Sequence, residues 1–597
     1  MNRKNTNIGK VISLLTAGEK RRLVLVLLGS IFTALVEVLG IGSVMPFVAV
    51  AAKPSMIHDN HYLAKLFHSL GFSSETHFLI FLGIAVLFLF IITNVSQAFL
   101  HYIKVRFTSM RRHSLSLRLL TGYLRQAFIF FLNKNSFDFV KNINSEIGQM
   151  INTSLMQLVE FLSRIIQVFL LTLFLVLVNP TSTLLILIII IFLYGLIYIF
   201  VRKNLKRLGA ERFEINMERS RIVSEAFWGI KEIKITGCEH EIITEYTPSS
   251  RQLARNETVS VIISDIPKFA LESIAFSTII CYVLYKIIQS GEFNDVAGSV
   301  TLFAYTGYRL IPAIQALFRS LAQLRYGAET ADRIAHEFKI VSGAPCIIAA
   351  KGKPTRLPFS HILEIRNMSF TFPNVDKPTI HDLSLDIPAN SMIGLAGKTG
   401  SGKTTLVDII MCLLIPQTGS LSVDGVLLND STIRRWQENI GYVPQNIYLS
   451  NNSIAANIAF GVNRKKINME LVVRAAKLAQ LHEFIEAELK DGYETKIGER
   501  GIRLSGGQRQ RIGIARALYR EPSVLIMDEA TSSLDSQTER AVMEAIDSLQ
   551  GSRTIILIAH RLTTLKQCDI IHLMDEGKII DSGKYQELMH KNRFFSS

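Results

Sequence analysis

An all-α six-span transmembrane domain followed by an α/β phosphate-loop domain is the fold class this sequence predicts. Three observations lead there. About half of the 597 residues are hydrophobic, 49%, and mean hydropathy is positive at +0.28, which is too apolar for a wholly soluble chain of this length. The apolar residues gather into runs of about 20 before residue 330, the length that crosses a bilayer as a helix. Beyond the runs lies an ordinary alternation of strand and helix patterns, and GKTGSGKT, beginning at Gly397, opens one of those helices.

Six spans are expected, near residues 23–51, 78–102, 155–178, 184–201, 262–288 and 296–317. The first has no small-residue cleavage site at its end and should persist as a span rather than be removed as a signal peptide. The connecting segments differ in charge. Those at 104–149 and 202–255 are long and basic, whereas NPTS at 179–182 and SGEFNDV at 290–296 contain no lysine or arginine. By the positive-inside rule both termini and the C-terminal domain are cytoplasmic. The net charge of +15 is therefore read as an orientation signal. Nucleic-acid binding is set aside because no stacking aromatics are interleaved with the basic residues.

Five cysteines, Cys238, Cys281, Cys346, Cys412 and Cys568, are widely spaced and form no CxxC pair, so neither a disulfide framework nor a zinc site is expected. Ahead of the first span, Ile8, Val11, Ile12, Leu14 and Leu15 fall on one side of a helix suited to the membrane interface. In the first outer loop Tyr62, Leu63, Leu66, Phe67 and Leu70 recur at helical spacing. They describe a second surface helix or one packed on the spans. The predicted domains are 1–326 for the membrane part, 327–361 for a loop-like linker marked by SGAPC and KGKPTRLP, and 362–597 for the α/β domain.

GKTGSGKT fits the phosphate-loop pattern between the apolar strand MIGLA and the helical TTLVDIIMCLL. Its glycines let backbone N–H groups wrap phosphates at a helix N-terminus. Gly397, Lys398, Thr399, Gly400, Ser401, Gly402, Lys403, Thr404 and Thr405 are the expected phosphate-binding residues of a nucleotide site, with Lys403 supplying a cation and the Thr404 hydroxyl a magnesium ligand. SVLIMDE ends an apolar strand with Asp528, a magnesium partner, and Glu529, placed to deprotonate the attacking water.

LSGGQRQRIGIARAL, from Leu504, resembles the signature of ATP-binding-cassette (ABC) proteins almost letter for letter. The resemblance implies that Ser505, Gly506, Gly507 and Gln508 bind nucleotide and that Gln445 in YVPQN is the Q-loop glutamine, near water and magnesium. It implies further that SSLD, ending at Asp535, is the D-loop, His560 in IAHR the catalytic switch histidine, and Phe372 the ring stacked on adenine where the family usually has tyrosine. Glu499 in IGERG resembles an exporter segment that touches the membrane domain. In this family each ATP lies between the phosphate loop of one cassette and the signature of another. One copy of each motif thus implies a dimer, most simply of two copies of this chain.

Six spans and a cassette resemble an ABC exporter half. Its cytoplasmic coupling helices are expected near residues 119–135 and 225–236. Charged residues inside the spans need partners or water. Arg309, in TGYRLIPAIQ, has no acidic residue one helical turn away; Lys268 has Asp265 and Glu272 nearby, and Glu37 lies in the first span. Either Arg309 pairs with Glu37 and Lys268 with Glu272, fixing helix packing, or the two cations line a wet cavity and hold an anionic head. YRLIP, DIPKFALESIAF, VEVLGIGSVMPF and the outer helix resemble lipid-linked oligosaccharide flippases of the PglK type. That resemblance implies a polyprenyl-pyrophosphate glycolipid cargo in a bacterial cytoplasmic membrane, with Arg309 retained and Lys268 standing where the family has arginine. The alternatives are an exporter of another amphiphile, such as a lipid, peptide or drug, and a non-transporting ATP-gated regulator or channel.

Overall fold

The computed structural model describes residues 7–52, 54, 56–178, 180–290, 294–343, 355–373, 375–498, 501–529, 535–559 and 562–591. The chain divides into two compact units. One comprises Met1–Gln126 with Lys134–Pro345, and the other Ala127–Asn133 with Cys346–Ser597.

The first unit is helical. The six expected runs fall in long helices: Ala17–Ala52, Glu75–Leu124, Met156–Val178, Pro180–Trp228, Glu239–Ser290 and Asn294–Tyr326. Among the described residues Ala17–Val48, Glu75–Leu124 and Ser136–Val178 are long and apolar enough to cross a membrane. Their exposed faces carry Leu25, Phe32, Leu39, Ile84, Phe88, Phe99 and Phe169. Ser30, Thr33, Glu37, Lys104, Ser163 and Gln167 are buried instead. Apolar outside and polar inside is the arrangement hydrocarbon demands, since a lipid-facing charge has nothing to bond.

The outer-loop pattern is a helix, His61–Ser69, started by Asn60, whose Oδ1 accepts from the amides of Tyr62 and Leu63. Phe67 packs with Val50, Ile57 and Phe78, while Tyr62, Leu66 and Leu70 remain exposed. Near the N-terminus, Asn7–Ser13 is helical, and Val11, Leu14 and Leu15 are buried.

The loop-like linker expected at 327–361 is corrected by a helix, Ala328–Gly343, burying Ala328, Ala331, Ile334 and Phe338. These residues recur along one stripe, but the breakers just beyond them dominated the local pattern. The membrane part also loses a piece: Ala127–Asn133, inside the first coupling segment, groups with the cassette. There Phe128 and Ile129 pack against its core.

In the second unit, β1 (Ile362–Phe370), β2 (Ile380–Pro388), β4 (Thr418–Val423) and β5 (Val426–Leu427) form an antiparallel sheet in the order β2-β1-β4-β5. Ile365 of β1 sits opposite Leu385 of β2 and Leu421 of β4. The other sheet has the order β10-β9-β3-β8-β7-β6, with β3 (Met392–Gly397), β6 (Ile440–Val443), β7 (Val524–Asp528), β8 (Thr554–Ile558), β9 (Ile570–Asp575) and β10 (Lys578–Gly583). Neighbours from β9 to β6 are parallel; β10 returns antiparallel on β9. Strands β3, β7 and β8 are buried at every residue, as expected where both faces are covered. Ligands bind beyond the carboxyl ends of such strands. Only β8 separates the ends of β3 and β7, which brings the phosphate loop and Asp528 to one edge.

Candidate functional site

The loop after β3 is shaped by its glycines. A Cβ on Gly397 would come within 2.2 Å of the Met574 carbonyl oxygen, and Gly400 and Gly402 hold φ of +83° and +99°, which side chains other than glycine's rarely tolerate. Gly402 is also the N-cap of the Lys403–Ile410 helix and contributes no side-chain cap. First-turn amides, which have no partner within a helix, are thereby left to an external acceptor. Lys398, Thr399, Gly400 and Thr404 are exposed along the crest of the loop, while Ser401, Lys403 and Thr405 are buried.

The Lys403 ammonium arches over its own loop, donating to the carbonyls of Gly397 at 2.8 Å and Lys398 at 2.9 Å. Burial lowers its pKa, an effect opposed by the carboxylates of Glu529 and Asp528. Asp528 ends β7 at 6% exposure. Burial and the Asp528 charge push the neighbouring Asp408 carboxyl up to about 6. Glu529 follows in a left-handed conformation, φ +48°, an unfavourable setting for a residue with a Cβ and one that recurs at functional sites. It is held by its amide, which donates to the Ile558 carbonyl at 3.0 Å, and by Gln445, whose Nε2 donates to Glu529 Oε2 at 2.6 Å. Two residues selected 84 positions apart thus meet at one carboxylate.

These groups fit a nucleoside triphosphate with magnesium. The glycine loop and Lys403 offer donors to phosphates, and Thr404, Asp528 and Gln445 offer the hard oxygen ligands the ion prefers. Held by these residues, magnesium would supply positive charge to offset that of the transferring group.

Ser505 caps the Gly506–Tyr519 helix in a reciprocal box: its Oγ accepts from the Gln508 amide at 3.2 Å, and its own amide donates to Gln508 Oε1 at 2.8 Å. The box presents Gly506 and Gly507 at a helix start. Asp535 caps Ser536–Asp547, accepting from Gln537 and Thr538 amides, and hydrogen bonds, those of Thr538 foremost, hold its carboxyl below the usual range. The Phe372 ring meets Phe370 edge-on, with centroids 4.9 Å apart, and is half-buried. His560 and Glu499 lie outside the described residues.

In the membrane unit, Arg309 Nε is 4.0 Å from Glu37 Oε1, Nη2 donates to Asn94 Oδ1 at 3.4 Å, and its guanidinium lies over the Phe90 ring at 5.4 Å. Lys268 is 3.8 Å from Glu272, and its side chain keeps 42% exposure. Asp265 is engaged by Arg319. Sequence reasoning missed a chain of contacts joined to Glu37. Lys104 Nζ donates to Glu160 Oε2 at 2.9 Å, Arg164 to Glu160 Oε1 at 2.6 Å and to Gln167 Oε1 at 2.7 Å, and Gln167 Nε2 to Glu37 Oε2 at 2.7 Å. The signal was spacing: Glu160, Ser163, Arg164 and Gln167 share one helical face.

A transmembrane helical unit joined to a phosphate-loop cassette defines an ATP-hydrolysing membrane transporter. The ABC transporter transmembrane region matches residues 23–310 and the ABC transporter domain residues 380–532. An ATP-dependent lipid A-core flippase of Burkholderia orbicola is 30% identical over 86% of this chain and 85% of its own length. The protein of that name from Paraburkholderia xenovorans is likewise 30% identical, over 86% and 85%. A solved bacterial Atm1-family ABC exporter with ATP bound superposes with a TM-score of 0.75 over 97% of both chains at 22% identity. The chain belongs to the ABC transporters and has the ABC exporter fold; it is a multi-pass membrane protein that binds and hydrolyses ATP.

Proposed function

We propose that two copies of this chain form an ATP-driven flippase that carries a polyprenyl-pyrophosphate-linked oligosaccharide from the inner to the outer leaflet of a bacterial cytoplasmic membrane. Gly397 to Thr405 bind the phosphates of one ATP, and Ser505 to Gln508 of the other copy complete the site. Thr404, Gln445 and Asp528 hold magnesium, Phe372 stacks on adenine, and Glu529, oriented by Gln445 and aided by His560, deprotonates the attacking water. Closing two cassettes on nucleotide and separating them after hydrolysis alternates access between the leaflets.

The observation that carries the cargo assignment is the half-exposed Lys268 ammonium in the expected fifth span, only loosely paired with Glu272. A cation kept inside a span without a close partner favours an anionic passenger. Arg309 is enclosed by Glu37, Asn94 and Phe90 in this conformation and serves as the second cation when the helices part. The names of the relatives favour a second reading, a lipid A-like cargo; its phosphorylated, sugar-bearing chemistry asks for the same cations. Mass spectrometry of lipids co-purified with Glu529→Gln, trapped with ATP, separates the two. A polyprenyl pyrophosphate glycan supports the first reading. An acylated disaccharide supports the second, and uncharged lipid alone rejects both.

A further inference from the structure

In the membrane unit the helices Ala17–Ala52, Glu75–Leu124 and Met156–Val178 border a half-open cavity of about 210 Å³ lined by Ser30, Thr33, Glu37, Gln97, Ser163 and Gln167, with His101, Lys104, Glu160 and Arg164 at its charged end. Within a span such a lining is costly, because each hydroxyl and amide must be satisfied away from water. Most of it is satisfied internally. Ser30 and Ser163 share a hydrogen bond at 2.8 Å, Thr33 donates to the Gly29 carbonyl at 2.8 Å, and both cations lie on Glu160.

One group is not. Glu37 is 2% exposed; its Oε2 takes the Gln167 donor, but Oε1 has no hydrogen-bond partner among the described residues, and neither does Arg309 Nε. The two atoms are 4.0 Å apart, too far to bond directly and close enough for one inserted oxygen to serve both. That oxygen must accept from Nε–H and donate to the carboxylate. A water or a sugar hydroxyl does both, whereas an ionised phosphate oxygen only accepts.

Charge gives an independent indication. Lys104, Arg164 and the adjoining Arg309 are set against Glu37 and Glu160, leaving one positive charge, short of what a dianion asks. The lining offers instead alternating donors and acceptors. Its volume is below the roughly 300–1,000 Å³ of drug-sized sites and is several times the share of a water molecule, about 30 Å³, a size suited to one sugar ring.

We infer that this cavity is a hydroxyl-recognising subsite that takes one sugar ring of an inner-leaflet glycolipid, with the Glu37 Oε1 and Arg309 Nε pair bridged by a ring hydroxyl. Its place fits that source: with the basic end at Lys20, Arg21 and Arg22 in the cytoplasm, Ser30 is about 12 Å further along the helix at 1.5 Å per residue. The inference rests on the proposed transport of a saccharide-bearing lipid and deepens it, separating where the sugar sits from where Lys268 meets the phosphate.

The test is photolabelling of the full-length protein in phosphatidylethanolamine and phosphatidylglycerol nanodiscs without nucleotide. The probe is an alkyl β-glucoside with a diazirine in its tail, compared with the same tail ending in phosphate. The glucoside is expected to label residues 30–37 and 160–167 saturably, while the phosphate probe labels them no more than background. Apparent affinity should fall about tenfold in Glu37→Gln and about five-fold in Thr33→Val, the scale of one charged and one neutral hydrogen bond. Equal labelling by the phosphate probe overturns the inference, as does unchanged affinity in both variants. Thr33→Val keeps the side-chain shape and remains informative if Glu37→Gln does not fold. Competition by free glucose at the probe's own affinity sustains the subsite but assigns it to a soluble sugar. Labelling needs neither ATP nor movement, so it can fail while transport of a pyrophosphate glycolipid stands, and succeed while that transport fails.

Discussion

The cassette and the membrane unit use charge in opposite ways. In the cassette, charged groups converge on a fixed edge of a sheet, and one carboxylate, Glu529, is positioned by backbone and side chain together. In the membrane unit, charges are scattered through helices and neutralise one another in pairs and chains. A site that performs the same chemistry on every ATP gains from preorganisation. A pathway that must release its passenger gains from cations that exchange one partner for another.

The comparison breaks most visibly at Glu529. Removing the base while keeping its shape, Glu529→Gln, should lower steady-state phosphate release by about 10²- to 10⁴-fold with ATP affinity retained. Unchanged turnover would show that the convergence on this carboxylate is not catalytic.

Next is Arg309→Ala, which leaves the buried Glu37 carboxylate uncompensated. A loss of about 3–5 kcal/mol of stability is expected, read as a lowered thermal midpoint in detergent and rescued in part by the double change with Glu37→Gln. Lys268→Ala should leave the midpoint within about 0.5 kcal/mol, as for an exposed pair. Similar destabilisation by the two would erase the distinction drawn between them.

Phe372→Ala should weaken ATP binding by about 1–3 kcal/mol, the worth of one aromatic stacked on a base, while Phe372→Tyr should leave it nearly unchanged. Titration calorimetry measures both.

The smallest effect is pH dependence at Asp408, whose carboxyl titrates at about 6, above its unfolded value of about 3.9. A raised acid pKa means the folded state binds the extra proton. Its contribution therefore favours the folded form below about pH 4 and fades as pH rises through 6. Asp408→Asn should flatten that part of the thermal profile between pH 4.5 and 7; an unaltered slope would assign it to other groups.

Legibility in the sequence follows the same divide. Phosphate-loop, Q-loop and signature residues can be picked out in the sequence because each belongs to a short segment with its own pattern, and locally Gly397 and Gly402 occupy positions that suit glycine while Ser505 caps its helix. The contact between Gln445 and Glu529 needed tertiary structure, since it joins the ends of different segments. In the membrane unit the helices were legible from apolar length, yet their partners were not. The pairing of Arg309 with Glu37 was one of two open readings, and the Lys104 to Glu37 chain escaped because its polar residues are diluted in apolar runs. The helix at Ala328–Gly343 was hidden by its neighbours' breakers for the same reason: a stripe of four buried residues is weaker than a nearby proline and glycine.

The most direct test of the account is the initial rate of ATP-driven translocation in vesicles for a pyrophosphate-linked glycolipid, its monophosphate and an uncharged analogue, with native protein and with Lys268→Gln. The account predicts rates falling in that order for the native protein, and a loss in Lys268→Gln confined to the charged cargoes. Equal rates for all three, or an equal loss for the uncharged lipid, would contradict it.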